Sequence, residues 1–301
     1  MRILSLKLRQ LFLKMLPKIK HFINLTKPTI MLLVIITGAA SLILEGSMLS
    51  RPVHFVLVLF ALYLTGGSAN ALNQYFERDI DSKMSRTAKR RPLPQHQISS
   101  VYALIFSISI GVIGVLIFGF FFNWYSAILS LATILFYSLF YTLLLKPNTP
   151  QNIVIGGAAG AMAPVGAWVA ATGNMALAPW VLFMIVFFWT PPHFWALALF
   201  YKDDYKKAKL PMMPVVSGDK STLNQIFIYS WILVASSFAI FVSYKISVVY
   251  GIIALILGAI FMIKSYQAKK DMTESRYRGL FGYSILYLMI LFTVIIIDGI
   301  I

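Results

Sequence analysis

NALNQYFERDIDSKMSRTAKRRPLP, residues 70–94, joins the end of a long apolar run to a basic, proline-containing loop. It holds three of the chain's ten acidic residues, Glu77, Asp79 and Asp81, interleaved with Arg78, Lys83, Arg86, Lys89, Arg90 and Arg91. If helix continues from Asn73 to Asp81, the spacing Asn73, Glu77, Asp81 is i, i+4, i+8, and their oxygens form a ladder on one face. Hard oxygen ligands of this kind suit Mg²⁺, which keeps several waters and is shared between one or two carboxylates and substrate phosphates. The basic residues downstream then face those phosphates, with arginine giving bidentate contacts. The competing reading is a solvated cap on a membrane helix, whose basic residues only orient the chain.

The rest of the chain decides what surrounds this stretch. Of its 301 residues 59% are hydrophobic and 12% charged, with a mean hydropathy of +0.80, whereas a soluble domain is about a quarter charged. Apolar runs long enough to cross a bilayer, about 20 residues each, fall near 29–46, 53–76, 100–122, 124–145, 152–171, 176–200, 223–242, 246–263 and 279–300. The expected fold is all-α: a polytopic membrane protein, a bundle of nine transmembrane helices with cytoplasmic cap loops. It divides into a basic N-terminal arm, 1–28, and an intramembrane domain, 29–301. The arm lacks an uninterrupted apolar core and a small-residue cleavage site, so it reads as retained and lying along the membrane surface. Cysteine is absent, which excludes disulfides, thiolate metal sites and cysteine nucleophiles.

The net charge of +16 raises a nucleic-acid partner, and its distribution argues against one. With nine spans and the N-terminus inside, only Arg51 and Lys245 of the 26 Lys and Arg fall on the outer side. That is the positive-inside bias, and it supports the span count and a cytoplasmic N-terminus.

A second informative stretch is TPPHFWALALFYKDDYKKAKLPMMP, residues 190–214. Pro191-Pro192 is expected to disturb hydrogen bonding within the sixth span. His193 lies at membrane depth, where a polar residue is a functional candidate by default, the alternative being a histidine satisfied by a neighbouring helix. Asp203 and Asp204 follow. Spans 2 and 6 run in the same direction, so both acidic clusters emerge on one face, four spans apart, as if two four-helix halves each carried one. Two carboxylate clusters at the mouth of a helical cavity, with Lys and Arg nearby, suit a dimagnesium diphosphate. Tyr137 and Tyr141 share one helical face near Lys146 and read either as interface anchors or as part of the site. Lys146 could instead snorkel to headgroups. The fifth span, NIVIGGAAGAMAPVGAWVAA, is small-residue rich and admits a neighbouring helix or a flat ligand. KSYQAKKDMTESRYRG, residues 264–279, reads as a surface loop.

These residues resemble a known family. Asn73-x3-Glu77-x3-Asp81 within NQYFERDIDSKM, followed by Arg86-Thr87 and Arg91-Pro92-Leu93, resembles the first motif of the UbiA-type intramembrane aromatic prenyltransferases. The ERDID form with its Arg-Thr pair resembles the heme O synthase (protoheme IX farnesyltransferase) branch. YTLLLK ending at Lys146, NIVIGGAAGAMAPVGAW from Asn152 and KDDYKKAKLPMMPVV from Lys202 agree with it. The resemblance implies a nine-helix protein of the bacterial cytoplasmic (inner) membrane. Its implied reaction moves a farnesyl group from farnesyl diphosphate to the 2-vinyl group of heme B with Mg²⁺ as cofactor, giving heme O and pyrophosphate. Asn73, Glu77 and Asp81 would form the first metal-diphosphate cluster and Asp204, assisted by Asp203, the second. Lys83, Arg86, Lys146 and either Arg90 or Arg91 would contact the diphosphate. The choice between the two arginines stays open because three residues separate Thr87 from Arg91 where two are expected. His193 is carried as a heme contact. The implied partners are the two substrates and the lipid bilayer, with association to heme A synthase or oxidase assembly allowed. The rival readings are a prenyltransferase for an aromatic quinone precursor, a transporter built on the broken sixth span, and a noncatalytic assembly factor.

Overall fold

The structure, a computed structural model, describes residues 19–244 and 246–301. Most of the basic arm, and with it the expected placement along the membrane surface, lies outside the described residues.

Nine helices of membrane-crossing length and apolarity run through the described residues. The first three are α1 (Pro28–Glu45), α2 (Pro52–Phe76) and, after the short helices α3 (Arg78–Asp81) and α4 (Ser85–Ala88), α5 (Ser100–Phe121). The fourth span starts as α6 (Trp124–Leu135) and continues as a π-helix over Phe136–Leu145. The fifth is split into α7 (Asn152–Ala161) and α8 (Ala163–Thr172). Then come α9 (Leu177–Phe200), the short α10 (Lys202–Lys207) and α11 (Met213–Val216), and the last three spans, α12 (Gly218–Ser243), α13 (Val248–Asp271) and α14 (Glu274–Asp298). Proline at the first turn starts α1 and α2, where its missing N–H costs nothing. Asn123 caps α6 by accepting from the Ser126 N–H at 2.8 Å, and Gly173, at φ 72, closes α8 in the left-handed conformation that favours glycine.

Lipid gives helices no hydrophobic reason to associate, so close packing and interhelical hydrogen bonds must do it. Between α2 and α5, Ser68 Oγ donates to the Ser107 carbonyl at 2.7 Å, and a Cβ at Gly111 would stand 2.4 Å from Ser68 Oγ. The helices α2 with α5, and α9 with α12, pack as the second and third spans of the two halves, while α14 packs on α1, α9 and α13.

Three details differ from the sequence expectation. The fifth span is not one helix: Pro164, just inside α8, has no N–H to carry the i→i−4 ladder through Met162, and α1 packs against the break, where Ser41 Oγ donates to the Pro164 carbonyl at 2.7 Å. The prolines of the sixth span do not break it, since α9 runs continuously past Pro191 and Pro192. Here Thr190 Oγ1 donates back to the Val186 carbonyl at 2.8 Å. Residues 264–279 are mostly not a loop. The last two spans extend as helices past the apolar runs and turn at Met272, which takes the left-handed conformation at φ 50. Arg278 and Glu274 pair one turn apart on this extension.

Candidate active site

The helix α2 ends at Glu77, whose backbone (φ −91°, ψ 2°) leaves the helical region before α3 begins. The i→i+4 bonds survive the kink: the Glu77 N–H reaches the Asn73 carbonyl at 3.0 Å and the Asp81 N–H the Glu77 carbonyl at 2.8 Å. Asn73, Glu77 and Asp81 therefore share one face, and each is only 2% exposed. Buried charges must be paired, and the partners come from three distant segments.

Lys146, at the end of the π-helix, pairs with Glu77 Oε1, and Arg91 pairs with Asp81 Oδ2 while lying 3.4 Å from Glu77 Oε2. Lys27 Nζ donates to Asn73 Oδ1 at 2.9 Å, and the Asn73 amide in turn donates to Thr142 Oγ1 at 3.2 Å. The Thr142 hydroxyl is held at 2.8 Å by the Tyr137 carbonyl five residues back, the spacing of the wide π turn. Lys27 itself sits at φ 54 directly before a proline, a conformation disfavoured for a non-glycine residue and doubly so before proline. Burial alone would raise the Glu77 carboxyl, but Lys146 and Arg91 overcome it and hold it down to about 2. At Asp81 burial outweighs the attraction of Arg91, and the Glu77 charge adds to it, so this carboxyl stands above the ordinary range. The ladder thus carries one firmly ionised carboxylate and one that holds its proton more tightly.

The second acidic pair splits. Asp204 turns inward, where its Oδ2 accepts from Ser85 Oγ at 2.7 Å and from the Arg86 N–H at 3.1 Å. Those bonds hold its carboxyl below the usual range against the opposing effect of burial. Asp203 stays exposed on α10. The loop between α3 and α4 joins the clusters, since Thr87 Oγ1 donates to the Asp81 carbonyl at 2.8 Å while Ser85 and Arg86 hold Asp204. Asp81 and Asp204 are accordingly on one face of the bundle.

Above these groups opens a cavity of about 1050 Å³, reaching from the mouth down into the bundle. Lys27, Arg86, Arg90, Arg91, Lys146 and Arg278 line the mouth. Arg90 and Arg91 both face the cavity, but it is Arg91 that meets the carboxylates, while Arg90 is exposed; Lys83 is exposed and outside the cavity wall. Arg86 lies over the Tyr201 ring at 5.6 Å, and its buried Nε has no partner among the described residues. An orphaned guanidinium N–H at a cationic mouth is a donor prepared for an anion. Deeper, the wall is aromatic. Tyr137 and Tyr141 stack at 5.1 Å on the π-helix, and Trp189, Phe194 and Phe281 line α9 and α14. His193 stands among them with its Nδ1 2.7 Å from Ser284 Oγ, so a neighbouring helix does satisfy one ring nitrogen.

Gly156 makes room for the Tyr141 ring: a Cβ there would lie 2.2 Å from Tyr141 Cδ2. Gly156→Ala should therefore push Tyr141 into the cavity and weaken a long bound ligand more than a short one. Comparing the affinities of two ligands of different length for the variant checks this.

No group of three or more His, Cys, Asp or Glu side chains among the described residues gathers closely enough to hold a metal alone. Mg²⁺ asks for only one or two carboxylates and completes its sphere with water and phosphate. The oxygens available here are hard ones, Asn73 Oδ1 and the carboxylates of Glu77, Asp81 and Asp204, and positive side chains already stand against the first three. Lys27, Thr142, Ser85 and Arg278 belong to this surface and were not singled out in the sequence as site residues. Lys27-Pro28 carried the one available signal.

The chain is similar to known proteins over most of its length. The model of the UbiA prenyltransferase family matches residues 33–291. A protein of Erythrobacter litoralis named protoheme IX farnesyltransferase is 46% identical over 285 residues, covering 93% of this chain and 92% of its own length. One of Gloeothece citriformis with the same name is 44% identical over 283 residues, covering 93% and 87%. Among solved structures, a UbiA homolog from Archaeoglobus fulgidus bound to DMAPP and Mg2+ superposes with a TM-score of 0.66 at 18% identity, covering 91% of this chain and 98% of that one.

Proposed function

Because this chain belongs to the UbiA prenyltransferase family, we propose that it transfers a farnesyl group from farnesyl diphosphate to the 2-vinyl group of heme B, with addition of water, giving heme O and pyrophosphate. The observation that carries the reading is the mouth itself: buried carboxylates of two distant segments, capped by Lys and Arg, above an aromatic cavity. The relatives named protoheme IX farnesyltransferase over nearly the whole chain support the heme acceptor.

Residues of this chain account for each requirement of the reaction. Lys146 and Arg91 can turn from their present partners to the diphosphate, and Arg86 can offer its unpaired Nε–H, so that the three neutralise charge as the allylic C–O bond breaks. Asn73, Glu77, Asp81 and Asp204 would hold Mg²⁺ together with the diphosphate, and the ion would supply further positive charge to the leaving group. Tyr137, Tyr141 and the deeper aromatic wall keep bulk water from the farnesyl cation and offer it their π faces. The vinyl π-electrons form the new C–C bond, and water adds to the resulting cation and loses a proton. Asp203 is left as an outer helper of Asp204, and Lys83 as a solvent-side attraction for the diphosphate.

The same reading puts the mouth, and the arm 1–28, on the cytoplasmic side of the bacterial inner membrane as a separate basic part of the chain, with residues 29–301 forming the catalytic domain. Heme A synthase or oxidase assembly would receive the product. Membranes carrying the protein, given farnesyl diphosphate, heme and Mg²⁺, should release pyrophosphate and yield farnesylated heme by mass. Chelation should lower the rate by at least about a hundredfold, and added Mg²⁺ should restore it. Prenylation of 4-hydroxybenzoate with no heme product would replace heme by a quinone precursor as acceptor.

A further inference from the structure

The deep wall of the cavity contains a histidine whose tautomer the hydrogen bonds determine. Ser284 Oγ has one proton, and it lies 2.6 Å from the Phe281 carbonyl, an acceptor without a proton of its own. The hydroxyl proton therefore belongs to that bond. The contact of Ser284 Oγ with His193 Nδ1 at 2.7 Å must then be donated by the ring. His193 then carries its proton on Nδ1, and Nε2 keeps a lone pair, the Nδ1 bond being the only side-chain hydrogen bond of this residue among the described residues.

The ring is also fixed in place. Trp189 stacks on it at 4.3 Å and 17°, and Phe281 at 4.5 Å and 24°, so the imidazole is held between two aromatic faces and only its edge is open. Trp189 is itself tied to the Ser284 carbonyl through its indole N–H at 2.6 Å. The imidazole is 7% exposed and lines the cavity. A neutral imidazole with one nitrogen donating to an oriented oxygen and the other bare is the arrangement of metal-ligating histidines. No group of three or more His, Cys, Asp or Glu side chains gathers around it among the described residues, and a metal carried in by a ligand needs only the one imidazole. An imidazole in an apolar, aromatic slot suits a porphyrin iron. Along the same wall Arg278 lies six residues before Ser284, about 9 Å of helix toward the mouth, where a cation can meet the carboxylates at a porphyrin edge.

We propose that His193 Nε2 is an axial ligand to the iron of the acceptor heme, and that Ser284 is the positioning residue that fixes its tautomer. This rests on the heme reading above and deepens it: the acceptor is recognised by its metal as well as its plane. Ligation from this depth holds the porphyrin in one place while the diphosphate is bound at the mouth.

The test uses the full chain in detergent, loaded with heme, read by visible and resonance Raman spectra alongside farnesyl transfer by mass. Wild-type protein should show an iron–imidazole signature that His193→Ala loses and free imidazole restores, with heme affinity about 10- to 100-fold lower in the variant. His193→Asn fills the same slot and serves if the alanine variant does not insert. Ser284→Ala should shift the iron–imidazole band while keeping it, which loss of packing alone would not do. Identical spectra for wild type and His193 variants, with heme still farnesylated, overturn the ligation and leave the reaction standing. If wild type neither binds nor farnesylates heme, the heme reading fails and the ligation with it.

Discussion

Asp81→Ala and Asn73→Ala are each expected to lower farnesylated heme by at least about a hundredfold while the chain still inserts at a normal level. The two substitutions remove different things. Asp81→Ala deletes a carboxylate and leaves Arg91 with Glu77 alone, at 3.4 Å. Asn73→Ala deletes the neutral oxygen held by Lys27 and the amide tied to Thr142, so no net charge changes and the π turn loses its hydrogen bond to α2. Loss in both variants, with normal abundance in the membrane, means the ladder acts as a unit on the diphosphate. Near-normal product from either one removes that residue from the site.

The second large effect is on stability. Arg91→Met should destabilise the protein by about 3–5 kcal/mol, because it leaves two buried carboxylates facing one another with Lys146 as the remaining cation in direct contact. A fall in the thermal midpoint of the detergent-solubilised protein would report it. Adding Asp81→Asn to Arg91→Met should recover part of the loss, since the double variant restores the charge balance. Equal midpoints for the single and double variants would show that Arg91 acts by packing and not by pairing.

The sequence reveals the span count because each run of about 20 apolar residues has one physical use in lipid. It reveals the ladder because Asn73, Glu77 and Asp81 are local, and the i→i+4 bonds that align them persist through the kink at Glu77. Where the reading fails, the cause is also identifiable. The ends of α12, α13 and α14 lie beyond the apolar runs, where helix continues through polar residues such as Glu274 and Arg278, and hydropathy has no signal for it. Pro164 lies amid so many small residues that nothing local marks it as a break in the fifth span. Pro191-Pro192 does stand out, and α9 absorbs it. The pairings of Lys27 with Asn73 and Lys146 with Glu77 join residues 46 and 69 apart in sequence, and no local pattern specifies them. The π-helix is in the same position, because one additional residue per turn changes which side chains face inward without changing composition.

The lysines and arginines that sit on the carboxylates have a consequence for the catalytic cycle. Between turnovers the protein serves as its own counterion, so no bare charge is buried while the site waits. In the proposed reaction, arrival of a diphosphate would then be an exchange of partners, and its departure as pyrophosphate the reverse exchange. A site arranged this way can grip a multiply charged group without becoming trapped by it.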